Sequence, residues 1–121
     1  MAVTYSFENL QVWQKAMLFA TELYQITRGF PRDELYGLVS QMRRAAVSIT
    51  SNIAEGYGRS SNTELIHFLY ISLGSSNELE TQIILAYNLQ FISKAQYELL
   101  EAMNNEVNAK LRMLISARSK Y

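Results

Sequence analysis

The segment Gln41–Ser61 (QMRRAAVSITSNIAEGYGRSS) constrains the fold more than any other part of the chain. Its apolar residues recur every three or four positions, at Met42, Ala46, Ile49 and Ile53. This spacing places the side chains on one face of an α-helix, so the segment predicts a helix that faces a core. The run ends at Gly56-Tyr57-Gly58, and glycine at this place predicts a helix end with one glycine in the left-handed conformation.

Chain length, composition and net charge limit which kinds of protein this sequence can encode. A chain of 121 residues, 49% of them hydrophobic, predicts a single domain over residues 1–121 with enough apolar side chains for one core. Eleven Lys and Arg balance eleven Asp and Glu, which argues against a general polyanion binder and leaves room only for a local basic patch. The absence of cysteine excludes disulfides and thiolate metal sites. Nothing resembles a signal peptide or a membrane span, so we expect a cytoplasmic protein with no membrane partner.

Glycine, proline and polar residues divide the chain into four helical segments. The breaks fall at Pro31, at Gly56–Asn62 and at Asn88–Ser93, where Ser93 is placed to cap the last helix. The predicted helices are Glu8–Arg28, Asp33–Tyr57, Thr63–Leu89 and Lys94–Arg118. Short connections favour antiparallel neighbours, so the predicted fold class is all-α, an antiparallel up-down-up-down four-helix bundle.

Each predicted helix carries an apolar stripe, which we expect to face the core. The stripes are Leu10, Trp13, Met17, Ala20, Tyr24 and Thr27; Leu35, Leu38, Met42, Ala46, Ile49 and Ile53; Leu65, Phe68, Ser72, Ser76, Leu79, Ile83 and Ala86; and Leu100, Met103, Val107, Leu111 and Leu114. The first helix also carries Val12, Phe19 and Ile26 outside its stripe.

The third helix has more apolar surface than one core needs. A second stripe runs beside the first and contains Ile66, Tyr70, Leu73, Ile84 and Tyr87. Because large exposed apolar patches usually mark partners, we predict that these residues form the interface of a homo-oligomer. A single wide arc facing the core is the alternative.

Arg43 and Arg44 lie beside the apolar seam of the second helix, about 100° apart around its axis. Two interpretations stay open. The arginines can bind phosphates, more effectively if a ring repeats them. Alternatively, one of them forms an ion pair with a glutamate such as Glu78 or Glu80 and fixes the helix register.

Two further motifs have residue types that can bind phosphate or metal. The loop Gly56–Ser61 precedes a helix and could cradle phosphate, but it lacks the lysine and the strand of a P-loop, so capping by Ser61 or Asn62 is the simpler interpretation. Glu64 and His67 have the Glu-x-x-His spacing of di-iron bundles, yet His67 is the single histidine of the chain. We therefore predict no catalytic residue, no metal site and no cofactor.

An ordered series of short motifs resembles one protein family. The series comprises Phe7–Leu10, Val12–Ala16, Phe30-Pro31, Glu34–Leu38, Gln41–Ile49, Asn52–Gly56, Gly58-Arg59, Glu64, Phe68-Leu69, Gly74-Ser75 and Glu78–Glu80. It is similar to the four-helix-bundle proteins encoded by intervening sequences inside bacterial 23S ribosomal RNA genes. The resemblance implies a ring-like homopentamer without enzyme activity. Related proteins are accessory subunits of diversity-generating retroelements, where a strongly basic pentamer engages nucleic acid and a reverse transcriptase; this chain differs in being neutral.

Two functions remain open at this level. The first is a non-enzymatic oligomer that binds structured RNA, ribosomal RNA for example, through Arg43, Arg44 and Arg59. The second is a structural or protein-interaction scaffold that binds no nucleic acid, such as an accessory subunit of another protein. An enzyme that uses Glu64 and His67 is a third class, which stoichiometric metal would indicate.

Overall fold

The computed structural model describes residues 6–120, and within this range the chain is all-α, with four α-helices and no β-strand. The helices are α1 (Gln11–Thr27), α2 (Leu38–Tyr57), α3 (Asn62–Asn88) and α4 (Lys94–Arg118). The prediction of four helices is confirmed. No helix in this range is long and apolar enough to cross a membrane.

The first two helices begin later than the sequence predicted. A 3-10 turn, Phe7–Asn9, precedes α1, and the extended backbone of Leu10 separates it from the helix. A second 3-10 turn, Arg32–Glu34, precedes α2. Gly37, the residue before α2, has a non-helical backbone conformation. The Glu34 carboxylate accepts a hydrogen bond from the main-chain N–H of Leu38 at 3.1 Å. Glu34 thereby satisfies one of the free donors at the start of α2.

The predicted serine caps are confirmed. The Ser61 hydroxyl accepts from the Glu64 main-chain N–H at 3.2 Å and starts α3. Ser93 and Gln96 form a reciprocal capping box at the start of α4, with distances of 3.1 and 2.9 Å. Each cap satisfies N–H groups that have no partner within the helix, which explains why these two boundaries could be located from local sequence.

The prediction of a left-handed glycine at the end of α2 is wrong. No glycine in the described range has a positive φ, and Gly58 ends the helix with a φ of −86°. Gly56 is buried inside α2, where a Cβ atom would lie 3.0 Å from Cβ of Phe68 and 3.1 Å from Cδ1 of Leu65. The missing side chain therefore lets α2 and α3 approach closely.

Each helix packs against two others. Contacts join α1 to α2, α2 to α3, α3 to α4 and α4 to α1, and none joins α1 to α3 or α2 to α4 among the described residues. Buried polar groups tie α3 to its neighbours: the Ser72 hydroxyl donates to the Ile49 carbonyl at 2.9 Å, and Ser76 donates to Asn104 at 2.8 Å. One apolar core fills the space between the four helices.

The burial of most of their residues confirms three of the four predicted stripes. In α2, α3 and α4 nearly all stripe residues are buried, while Leu35 is exposed before α2, and Phe68, Met103 and Leu114 are half-buried. The predicted stripe of α1 is wrong for Met17 and Tyr24, which are exposed, whereas Thr27 is buried and Leu10, Trp13 and Ala20 are half-buried against the core. The residues of α1 that are buried are Val12, Ala16, Phe19, Leu23, Ile26 and Thr27. This face lies about 100° from the predicted one, one residue position around the helix, and both faces show helical spacing.

Candidate nucleic-acid interface

Arg43 lies at the contact between α2 and α1. Its Nε donates to the Thr27 hydroxyl at 3.0 Å, and its Nη2 donates to the main-chain carbonyl of Tyr24 at 3.2 Å. Its guanidinium carbon also lies 4.5 Å from the centroid of the Tyr24 ring. Arg43 makes no ion pair with Glu78 or Glu80, the partners considered from sequence. Its guanidinium instead binds the last turn of α1, where carbonyls lack helical donors.

Arg44, the next residue, points away from the core. It is exposed and makes no hydrogen bond or ion pair with any described residue. It lines a groove of about 510 Å³, here called the Arg44 groove. The groove is lined by Tyr24, Leu35, Tyr36, Val39, Ser40, Arg43, Arg44 and Val47. Most of this lining is apolar, it contains no acidic residue, and Tyr36 is 93% exposed.

Arg28 extends the positive charge beside the Arg44 groove. It lines an adjoining hollow that shares Tyr24 and Val47 with the groove. The fold thus brings the end of α1 and the first half of α2 together, a proximity that the sequence alone left undecided. Neither Arg28 nor Arg44 has a carboxylate partner among residues 6–120.

Arg59 lies in the turn after α2, in a second and more polar hollow. It forms an ion pair with Glu55, one helical turn earlier, and its guanidinium carbon lies 4.9 Å from the Phe68 ring centroid. The hollow, here called the Arg59 cleft, has a volume of about 240 Å³. It is lined by Gly56, Tyr57, Arg59, Ser60, Ser61, Asn62, Leu65 and Arg118, with no acidic residue among them.

Arg118 reaches the Arg59 cleft from the last turn of α4. Its guanidinium carbon lies 5.8 Å from the Tyr57 ring, and its main-chain carbonyl accepts a hydrogen bond from Asn62 Nδ2 at 2.7 Å. The end of α4 and the turn between α2 and α3 are therefore joined. Two arginines, one in the turn after α2 and one at the end of α4, line one polar surface.

The three arginines predicted to bind RNA do not form one surface. Arg44 and Arg59 lie near opposite ends of α2, about 20 Å apart at the helical rise of about 1.5 Å per residue. Sequence reasoning also missed basic residues near the end of α4. After Glu106 the chain has no acidic residue and four basic ones, namely Lys110, Arg112, Arg118 and Lys120. This uncompensated charge run was the available signal.

The predicted interface residues of α3 differ in exposure. Tyr70, Ile84 and Tyr87 are exposed, and the Tyr87 ring stacks on Tyr97 of α4 with ring centroids 4.4 Å apart. Ile66 is half-buried against the core. Leu73 is only 8% exposed and belongs to the core of its own chain. Two further apolar residues of α3 that the predicted stripe omitted, Ile71 and Leu85, are exposed.

Within residues 6–120 the acidic side chains do not come together as a metal site. No group of three or more His, Asp or Glu residues within the described range is placed to hold a metal ion. His67 contacts the edge of the neighbouring Phe68 ring. On the other side of α3, burial and then a hydrogen bond with Glu80 raise the pKa of Glu101 on α4 to about 7. Glu101 is therefore about half protonated at neutral pH, at the contact between α3 and α4.

Known proteins share both the sequence pattern and the fold. A family model described as 23S rRNA-intervening sequence protein matches residues 8–113. A crystal structure of a protein of unknown function from the S23 ribosomal protein family of Bacteroides thetaiotaomicron VPI-5482 superposes with a TM-score of 0.78 and 27% sequence identity. The match covers 86% of this chain and 97% of that one. No curated protein matches the chain.

Proposed function

The chain belongs to the family of 23S rRNA-intervening sequence proteins, and from that premise we propose that it is a non-enzymatic, self-assembling protein that binds structured RNA. Its four helices form an antiparallel up-down-up-down bundle, and copies of the bundle assemble into a homopentameric ring in the cytoplasm. The family description, which names ribosomal RNA, makes structured ribosomal RNA the first ligand to test.

Contacts between helix ends support the antiparallel arrangement. Arg43 near the start of α2 binds Tyr24 near the end of α1. Asn62 at the start of α3 binds the carbonyl of Arg118 at the end of α4. Such contacts between the beginning of one helix and the end of its neighbour are expected when sequential helices run in opposite directions.

The observation that carries RNA binding is the convergence of Arg59 and Arg118 on one polar cleft that contains no acidic residue. Guanidinium groups bind phosphate oxygens in bidentate geometry, and the hydroxyls of Ser60 and Ser61 add further donors. The ion pair with Glu55 occupies one edge of the Arg59 guanidinium and positions the rest of it. Repetition of the cleft around a ring would raise the avidity for a long RNA without a high net charge.

The RNA proposal does not rest on Arg43 or Arg44. The Nε and Nη2 donors of Arg43 bind Thr27 and Tyr24, so RNA would have to compete with these contacts. Arg44 has free donors, but its groove is mostly apolar and suits a protein surface better than a phosphate backbone. Arg43 and Arg44 remain predicted RNA contacts, but the proposal depends on Arg59.

The test is a fluorescence-anisotropy titration of labelled structured RNA at low and high salt. The double variant Arg59→Gln/Arg118→Gln should weaken binding at least about tenfold and reduce the log–log salt slope by about two, since two phosphate contacts are lost. The control Arg32→Gln/Lys94→Gln removes the same charge outside the cleft and should change affinity by less than about twofold. Equal losses in both double variants would remove the cleft from the proposal.

A protein-interaction scaffold is the second candidate, and the apolar Arg44 groove favours it. In that case the wild-type chain assembles, as light scattering would report, but binds no RNA at either salt concentration. Immobilised chain would then capture an accessory protein, and Arg44→Ala would abolish the capture while Arg59→Ala would not.

A further inference from the structure

The outward side of α3 is mostly apolar and carries one carboxylate near its middle, Glu78. Its exposed residues include Tyr70, Ile71, Gly74, Glu78, Ile84 and Leu85, here called the α3 outer face. Over its whole length α3 contains three glutamates and neither lysine nor arginine. A long helix that exposes five large apolar side chains, Tyr87 among them, and no lysine or arginine is poorly suited to remain in water.

The Arg44 groove has the complementary character. Leu35, Tyr36 and Val47 are exposed apolar residues in its lining, and Arg44 is a positive charge without a partner among the described residues. Aromatic residues and arginine are the types enriched at protein interfaces, whereas lysine and glutamate are depleted there. The neutral chain therefore carries an apolar groove with Arg44 on one side and an apolar face with Glu78 on another, and Arg112 and Lys120 line the hollow at the Tyr70 end of that face.

We propose that the α3 outer face of one copy docks into the Arg44 groove of a second copy, with Glu78 facing Arg44. This inference rests on the self-assembly part of the proposed function and assigns its two surfaces. Opposite charges select this pairing, because two identical grooves placed face to face would oppose Arg44 with Arg44, and two α3 faces would oppose Glu78 with Glu78.

The two surfaces cannot meet within one chain. The groove is formed by α1, α2 and their connection, whereas α3 packs against α2 and α4 and does not contact α1. After one copy has bound another, a groove and a face remain free at the two ends. Such head-to-tail contacts continue until the assembly closes into a ring or extends as a filament.

Gly74 lies in the middle of the α3 outer face. A Cβ atom built there would meet no other atom within 4 Å, so the helix backbone is open to a partner at this point. A residue with a long side chain at this position would fit the isolated chain and obstruct docking. Gly74 thus offers a variant in which folding and assembly change in opposite directions.

The experiment compares the single charge reversals Arg44→Glu and Glu78→Arg with the double variant by sedimentation velocity and light scattering. We expect each single variant to weaken assembly at least about tenfold, and the double variant to recover most of it, because the opposite charges face each other again. Lys94→Glu reverses a charge outside both surfaces and should assemble like wild type. Assembly of both single variants at wild-type affinity, or a double variant weaker than either, would overturn the inference.

Gly74→Gln is a further variant that distinguishes a loss of assembly from a loss of folding. We expect its thermal unfolding midpoint in the dissociated state to rise, since glycine disfavours the helix interior, while its assembly weakens. A stable variant that assembles like wild type contradicts the proposed docking. A monomeric wild-type chain at the highest attainable concentration would overturn self-assembly itself, whereas the RNA titration of Arg59→Gln/Arg118→Gln reports on RNA binding independently.

Discussion

Arg43 on α2 is joined to Tyr24 on α1 by two different contacts. Its Nη2 donates to the Tyr24 carbonyl at 3.2 Å, and its guanidinium carbon lies 4.5 Å from the centroid of the same residue's ring. Thr27 provides a third contact, with its hydroxyl 3.0 Å from Nε. Arg43, which lies beside the apolar residues of α2, therefore links α2 to α1. The adjacent residue Arg44 points outward.

The contacts of Arg43 predict that its replacement lowers the free energy of unfolding more than the replacement of Arg44 does. Arg43→Ala should lower the free energy of unfolding by about 1–2 kcal/mol, because the cation–π contact and two hydrogen bonds are lost. Arg44→Ala, measured in the dissociated state, should change it by less than about 0.5 kcal/mol, since the residue has no partner in its own chain. Urea unfolding of both variants at low protein concentration provides the measurement. A loss for Arg43→Ala that is no larger than the loss for Arg44→Ala would contradict the predicted stabilisation by the Arg43 contacts.

The raised pKa of Glu101 predicts a dependence of stability on pH. The folded protein raises the pKa of Glu101 from 4.5 to about 7, so it retains a proton that the unfolded chain releases. The stabilisation is complete below pH 4.5 and is lost as the pH rises through the folded value near 7. Glu101→Gln cannot ionise and should therefore be more stable than wild type above pH 7 by about 1 kcal/mol, once solvent screening of this half-buried group is allowed for.

Unfolding of wild type and Glu101→Gln should be followed by urea titration at about pH 5 and about pH 8. The gain from the substitution should appear mainly at the higher pH. Glu98→Gln, on the exposed side of the same helix, is the matched control and should show no comparable difference between the two conditions. A gain from Glu101→Gln that is independent of pH would argue against a raised pKa of Glu101 in the folded protein.

Gln90 predicts a stabilising substitution at the end of α3. It has a φ of 63°, and the Phe91 N–H beyond it donates to the Ala86 carbonyl at 2.9 Å, as in a Schellman helix end. Because glycine adopts this conformation without the Cβ penalty, Gln90→Gly should raise the free energy of unfolding by about 0.5–1 kcal/mol. Gln90→Ala keeps the Cβ atom and should bring no such gain in thermal melts.

Two helical glycines predict opposite effects of the same substitution. Gly56→Ala should destabilise the chain by about 1–3 kcal/mol, because the new methyl group would press on Leu65 and Phe68 in the α2–α3 contact. Gly74→Ala should stabilise the dissociated chain by about 1 kcal/mol, because its site is open and alanine favours the helix. The two melting curves should shift in opposite directions relative to wild type. Shifts of the same sign would contradict the close approach at Gly56.

Several features followed from local sequence because their causes are local. Ser61 and Ser93 satisfy N–H groups only three residues ahead, so their role can be inferred from the neighbouring residues. Polar residues flank the stripe of α2 on most sides, which leaves one face clearly inward. The motif series that indicated the family is likewise a property of the residues themselves, and the match over residues 8–113 confirms it.

Other features depended on positions that a one-dimensional pattern does not contain. In α1 two apolar faces have the same helical spacing, and only the position of α2 and α4 decided that Phe19 and Leu23, rather than Met17 and Tyr24, are inward. The partner of Arg43 was decided by the end of α1 lying beside it, and Arg118 joined Arg59 because α4 ends at the α2–α3 turn.

The sequence by itself determined the helices, most of their boundaries and the family, because periodicity, caps and motifs act over a few residues. Only the tertiary structure decided which face of α1 is buried, why Gly56 must be glycine and which arginines share a surface. These outcomes depend on side chains far apart in the sequence that packing brings within a few ångströms, and local spacing carries no information about such distances.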